Sequence, residues 1–165
     1  MASDVEVRQP RPDDLPQIFD LHARVFGPGR FTRTAYRIRE GSPLISPYCL
    51  LARIDGALVA AIRFTHVTIG GQGKVLLLGP LAVEPQWAGQ GYGRRLIAAG
   101  LEIAQADGVR LSVLVGDMAY YQRFGFVRVP PGQIRLPGPA DPARILACEL
   151  EPGALTSYRG LVSAA

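Results

Sequence analysis

The stretch Leu78-Gly79-Pro80-Leu81-Ala82-Val83-Glu84-Pro85-Gln86-Trp87-Ala88-Gly89-Gln90-Gly91-Tyr92-Gly93 sets the reading of this chain. An apolar strand ends at Val83, and Glu84-Pro85 turns the backbone. Glycines at 89, 91 and 93 then lead into an amphipathic segment that begins Arg94-Arg95-Leu96. Strand, glycine-rich turn and helix start together make an anion site. The first N–H groups of a helix have no partner inside it, and the helix dipole adds about half a positive charge there. Glycine permits positive φ and lets an anion approach the main chain closely.

Upstream, residues 5–8 read as a short strand. A helix follows with Asp13 as its N-cap, and Leu15, Ile18, Phe19, His22, Val25 and Phe26 recur at helical spacing. Gly27-Pro28-Gly29 ends it, and residues 31–40 suggest a second, weaker helix. Residues 48–54 and 58–69 read as strands joined by the Asp55-Gly56 hairpin turn. A glycine turn at 70–73 leads into the strand 74–83, where Gly79-Pro80 implies a bulge. Downstream, residues 92–106 form a helix with Leu96, Gly100 and Ile103 on its inward face. A strand at 111–115, a short helix at 117–124 and a strand at 126–129 come next. A Pro/Gly-rich loop at 130–142, a last strand at 144–150 and an irregular tail complete the chain. Hairpins followed by strand–helix crossovers predict one α/β (α+β) domain over residues 1–165, a mixed sheet of about seven strands with helices on its faces.

Composition limits the functional classes. Of 165 residues, 48% are apolar and 19% charged, enough for a core and too few charges for disorder. No apolar run is long enough for a membrane span, and the N-terminus lacks the basic start and apolar block of a secretory signal, so a cytoplasmic protein without a membrane partner is expected. The net charge of +4 favours anionic ligands. Its arginines are dispersed, which argues against nucleic acid. Cys49 and Cys148 are far apart in apolar segments and read as buried free thiols. His22 and His66 have no partner at ligand spacing, so no metal site is expected.

Ala88-Gly89-Gln90-Gly91-Tyr92-Gly93 resembles the pyrophosphate loop, Gln/Arg-x-x-Gly-x-Gly/Ala, of the GNAT superfamily of acyl-CoA-dependent N-acetyltransferases. Ala88 departs from the family's Gln or Arg. Ala119-Tyr120-Tyr121-Gln122-Arg123-Phe124-Gly125-Phe126 is similar to its Phe-Tyr-x-x-x-Gly-Phe segment. Gly79-Pro80-Leu81-Ala82-Val83, Gly116-Asp117 with Ala119-Tyr120-Tyr121, and the tail from Glu149 to Leu155 resemble most its YhbS-like branch. The resemblance covers residues 48–156 well and the first 47 weakly. It implies a twisted, mostly antiparallel sheet flanked by helices.

It also implies a direct acetyl transfer from acetyl-CoA to a primary amine in a ternary complex. The cofactor would be held by the amides from Gly89 to Arg94 and by the main chain of Leu81, Ala82 and Val83. Cofactor contacts are therefore expected at Leu81, Ala82, Val83, Ala88, Gly89, Gln90, Gly91, Tyr92, Gly93 and Arg94. Tyr121 aligns with the family's general acid. The strand 74–83 holds no carboxylate where many relatives carry a base, which leaves Glu84, Asp117 and His66, with Asp117, directly before Met118, read first as a helix N-cap. Glu84 is carried forward as the catalytic candidate, with a water chain as the alternative. Residues 26–36 and 130–142, with Phe31, Arg33, Tyr36 and Arg135, are expected around a small-molecule or peptide amine acceptor, and a homodimer is in keeping with the superfamily. A non-catalytic acyl-CoA-binding or regulatory module is the alternative function. A dinucleotide fold is disfavoured, because the spacing is not Gly-x-Gly-x-x-Gly.

Overall fold

The computed structural model describes residues 5–27 and 38–165. Its strands are β1 (Val5–Arg8), β2 (Leu50–Ile54), β3 (Ala57–Ile69), β4 (Gln72–Val83), β5 (Leu111–Val115), β6 (Phe126–Arg128), β7 (Ile134–Arg135), β8 (Ile145–Glu149) and β9 (Gly160–Ala164). The described helices of four residues or more with α geometry are α1 (Leu15–Phe26), α2 (Tyr92–Ala106) and α3 (Met118–Tyr121). The sheet runs β1-β2-β3-β4-β5-β8-β6, with β9 added beside the far end of β3 and β7 beside β9. Among the described residues only β4–β5 and β7–β9 pair in parallel.

The local causes are plain. Asp55 and Gly56 both take positive φ, +50° and +82°, as a two-residue hairpin with the right twist requires. The α2 helix buries Gly93, Leu96, Ile97, Gly100, Leu101 and Ala104 against β3 and β4. Full burial of Leu96 and Ile97 contributes about 1.5–3 kcal/mol each. Packing is closest at Gly100, where an added methyl would lie 2.4 Å from Cε2 of the fully buried Phe64. On the opposite face, Ile18 and Leu21 of α1 pack with Leu51, Ala61 and Ala82.

Several expectations are corrected. Among the described residues seven strands make the continuous path, as expected, and two short ones add to it: β7 inside the 130–142 loop and β9 in the tail that was read as irregular. Ile103 is 39% exposed, and Leu101 takes the inward place expected of it. The start of α1 is organised by Asp14 instead of Asp13. Its buried carboxylate accepts from the Arg11 N–H at 2.7 Å, from both Arg8 terminal nitrogens at 2.8 and 3.0 Å, and from Arg53 at 2.8 Å. The Arg8 guanidinium holds the Asp14 carboxyl well below the usual carboxylate range. A short 3-10 turn, Pro12–Asp14, precedes α1 and displaces Asp13 from the cap position. Of the segment 31–40 only Ile38 to Glu40 are described, and Ile38 and Arg39 are helical.

Candidate active site

The site begins where two strands part. β5 pairs with β4 only from Val75 to Leu77, while β4 continues to Val83 against β3 alone. Leu78 faces Phe64 and Leu81 faces Ile62, so β4 carries one extra residue between them, the expected bulge at Gly79-Pro80. Gly79 has φ +118°, a backbone state that L side chains avoid. The buried Arg39 donates to the Gly79 carbonyl at 2.8 Å. Past the bulge, the edge of Leu81–Val83 that faces β5 has no ladder partner among the described residues. Leu81 and Val83 turn their side chains to the α2 face and Ala82 turns to the α1 face, so that edge presents main chain to an open slot.

The slot ends at the glycine loop. Pro85–Trp87 make a 3-10 turn, Ala88 is extended, and Gly89 and Gly91 take φ +78° and +90°. Gly91 is the N-cap of α2 and supplies no side-chain cap. The first helical bond is Arg95 N–H to the Gly91 carbonyl, 3.0 Å. The amides of Tyr92, Gly93 and Arg94 therefore open the helix without a side chain to satisfy them, and no acidic residue lies in the first turn. Ala88, Gly89, Gln90, Gly91, Arg94 and Arg95 are exposed. Tyr92 packs edge-on against Trp87, ring centroids 6.0 Å apart. Gly93 is a packing position as well: a methyl there would sit 3.3 Å from Val83, 3.4 Å from Leu81 and 3.4 Å from the Tyr120 hydroxyl.

The opposite wall is α3. Asp117 caps it, its carboxylate accepting from the Ala119 N–H at 3.0 Å, which is the structural role the residue was expected to hold. Tyr121 lies edge-on to Tyr120 and Phe126 and against Gly116, where a methyl would come within 2.8 Å of its ring. Burial pushes the Tyr121 hydroxyl up to about 12, so it keeps its proton throughout the neutral range. The Tyr120 hydroxyl reaches the junction of loop and β4, 3.4 Å from where a methyl on Gly93 would sit. The Arg123 guanidinium sits over its ring at 5.2 Å.

Glu84 and His66, the other two candidate bases, each make contacts of their own. Glu84 receives Arg24 of α1 at 2.7 Å and its N–H donates to the Val59 carbonyl at 2.8 Å, so it ties the end of β4 to α1 and β3. His66 is exposed on β3 opposite Leu76, before the bulge, and edge-on to Tyr48.

On the α1 side of β4, a cavity of about 500 Å³ opens. Phe19, His22 and Phe26 form one wall, the segment Arg39–Ser42 with Leu44 another, and Ile62, Arg63 and Pro80 the floor. Sequence reasoning missed Arg39 and Arg63. Phe19, His22 and Phe26 were noted only for their helical spacing, and Phe19 is 43% exposed. Phe31, Arg33 and Tyr36 lie outside the described residues. Arg135 sits on β7 opposite Leu161 and does not line this cavity. Among the described residues there is no group of His, Cys, Asp and Glu able to hold a metal, and no helix long and apolar enough to cross a membrane. Both cysteines are free and buried.

Known proteins are similar in sequence and fold. The acetyltransferase (GNAT) domain family matches residues 6–129. The uncharacterised N-acetyltransferase YhbS of Escherichia coli K12 is 30% identical over 158 residues, covering 94% of this chain and 93% of its own. YjhQ of the same strain, also an uncharacterised N-acetyltransferase, is 33% identical over 116 residues, 68% of this chain and 64% of its own length. The crystal structure of E. coli YhbS in complex with CoA aligns with TM-score 0.85 and 28% identity, covering 100% of this chain and 92% of that one. A Brucella melitensis GNAT acetyltransferase in complex with acetyl-CoA aligns with TM-score 0.75 and 27% identity, covering 99% and 97%.

Proposed function

The chain belongs to the acetyltransferase (GNAT) family, and on that premise we propose that it moves an acetyl group from acetyl-CoA to a primary amine by direct transfer in a ternary complex. The observation that carries this reading is the parting of β4 from β5 directly before a helix start whose amides lack a side-chain cap. A diphosphate suits those amides, since both the free donors and the dipole favour negative charge. Gly89, Gln90, Gly91, Tyr92, Gly93 and Arg94 are assigned to it, with Ala88 leading in. The free edge of Leu81, Ala82 and Val83 is assigned to the pantetheine arm and thioester. A main-chain N–H aimed at the thioester oxygen stabilises the charge that develops there by about 3–4 kcal/mol.

In the transfer, the neutral amine nitrogen bonds to the thioester carbon and the carbon–sulfur bond breaks. One amine proton is lost and the CoA thiolate gains one, which gives the acetamide and free thiol. Tyr121 is the assigned donor to the departing sulfur, since burial keeps its hydroxyl protonated. Glu84, engaged by Arg24, is assigned a tethering role, and an acceptor arriving as ammonium loses its extra proton to water. The amine enters from the cavity on the α1 side, whose floor includes Pro80 of the bulge. The whole chain acts as one such domain.

Calorimetry with CoA, followed by thiol release from acetyl-CoA over an amine panel, tests this. Wild type should bind CoA and turn over. Tyr121→Phe should keep its CoA affinity and lose about 100-fold in kcat. Absence of CoA binding removes the reading. Binding without turnover on any amine favours a non-catalytic acyl-CoA module.

A further inference from the structure

Tyr120 and Tyr121 are neighbours on α3, and the fold sends them to different places. Successive residues of a helix point about 100° apart. Tyr121 turns to Gly116, past the end of β5, and to Phe126 of β6. Tyr120 reaches across the slot instead. A methyl on Gly93 would lie 3.4 Å from its hydroxyl, 3.3 Å from Val83 and 3.4 Å from Leu81. The phenol therefore spans from α3 to the first turn of α2, beside the free edge of β4. Its ring is fixed by Tyr121, edge-on with centroids 4.9 Å apart, by Phe124 at 5.9 Å and by the Arg123 guanidinium at 5.2 Å. Those contacts engage the ring only. Among the described residues the half-buried Tyr120 makes no hydrogen bond through its hydroxyl, although a phenol O–H at such a place ordinarily has a partner.

The neighbour of that hydroxyl indicates the partner. Gly93 carries one of the main-chain N–H groups that open α2 without a side-chain cap. Ordinary bond lengths put its nitrogen about 2.5 Å from the added methyl, and so no more than about 6 Å from the Tyr120 hydroxyl. Two hydrogen bonds to one oxygen bridge up to about 6 Å, so a single oxygen can accept from both groups. We propose that Tyr120 is a cofactor-binding residue, whose hydroxyl donates to a diphosphate oxygen of acetyl-CoA beside the Gly93 N–H. This rests on the acetyltransfer reading above and adds one side chain to the cofactor site of that reading.

Ala88, Gly89, Gly91 and Gly93 bring no polar side chain to the anion, and Tyr120 supplies one from the opposite wall. A hydroxyl donating to a charged oxygen makes a short, strong bond. Because the ring is already held in place, little of that bond is spent on ordering the side chain. The Arg123 cation over the ring adds favourable field at the same corner. The two tyrosines then divide the work: Tyr120 holds the cofactor and Tyr121 meets the departing sulfur.

The experiment compares the full wild-type chain with Tyr120→Phe, a change that keeps the ring and its packing. Calorimetry gives Kd for CoA. Displacement of bound CoA gives Kd for pantetheine, which lacks the diphosphate. The expected result is a CoA Kd about 10- to 100-fold higher in the variant, the value of a hydrogen bond to a charged group. The pantetheine Kd and the melting temperature should stay where they are in wild type. With an amine that the panel above shows to be acetylated, KM for acetyl-CoA should rise and kcat should hold, as for a contact made equally in ground and transition states. An unchanged CoA Kd overturns the assignment. An equal loss for CoA and pantetheine overturns it too, because the hydroxyl would then serve the pantetheine arm. A fall in kcat at unchanged Kd does the same, by making Tyr120 the proton donor. A wild type that does not bind CoA overturns the acetyltransfer reading itself.

Discussion

Gly91 is the position where conformation and ligand binding can be separated by arithmetic. Its φ is +90° and ψ 3°, and a methyl added there would meet nothing within 4 Å. The cost of Gly91→Ala is therefore conformational and not steric, about 1–2 kcal/mol for an L-residue held in the left-handed region. That cost must be found on the path from unfolded chain and free CoA to the bound complex, if the complex needs this loop shape. If the free protein keeps the loop, stability falls and the melting temperature drops by about 2–4 °C for each kcal/mol in a chain of this size. If the free protein relaxes the loop, stability is kept and Kd for CoA rises about 5- to 30-fold. Chemical denaturation and calorimetry on one preparation measure both parts, and their sum should be about 1–2 kcal/mol. Gly91→Asn should lose less in sum than Gly91→Ala, because Asn tolerates this backbone state. An alanine variant with wild-type stability and wild-type Kd would refute the assignment of this loop to the diphosphate in its observed conformation.

Gly100→Ala should destabilise by about 1–3 kcal/mol despite the better helix propensity of alanine, because its methyl would lie 2.4 Å from a buried Phe64 carbon. Adding Phe64→Leu should cost less than the two single changes combined, as read by denaturation midpoints. Asp14→Asn should cost about 2–3 kcal/mol, somewhat below a fully buried pair, since Arg8 and Arg53 keep 20% and 13% of their side chains in solvent. The pH dependence follows from the same contact. The folded state binds the Asp14 proton more weakly than the unfolded chain does, so its contribution is present above about pH 4 and fades as pH falls below it. Wild type should lose stability through that window faster than Asp14→Asn in an acid melting series. Glu84→Gln should leave kcat within a few-fold and barely move the denaturation midpoint, as expected for a pair whose Arg24 side chain is 53% exposed. A kcat loss near 100-fold would return Glu84 to the role of general base.

Features encoded over a few residues were legible in the chain. Asp55-Gly56 announces its hairpin, Gly79-Pro80 its bulge, Asp117 its cap, and the glycines at 89 and 91 a loop that only positive φ allows. Features made by distant pairings were not. β9 is five residues with no strong alternation, and it exists because β3 offers an unpaired edge at Val67–Ile69, far earlier in the chain. Arg39 looks like any dispersed arginine until the fold brings it to Gly79, 40 positions away. The helical stripe of α2 was misjudged at one position, because Ile103 lies just outside the arc that Leu96, Ile97, Gly100, Leu101 and Ala104 bury. The hydroxyl of Tyr120 was invisible for the same reason, since its neighbours Gly93, Leu81 and Val83 come from other elements.

The bare contact at Gly100 makes a fulcrum of that point on α2. With a fully enclosed phenyl ring seated against the backbone, the helix cannot slide along the sheet without riding over it. Its anion-facing end lies nine residues away, a lever arm of about 13 Å at 1.5 Å per residue. Any accommodation of an incoming diphosphate must then be a tilt, about 4° for each ångström at the tip by that geometry. The far end of the rod swings oppositely, and it carries its C-cap Asp107, whose carboxylate accepts from the Tyr48 hydroxyl.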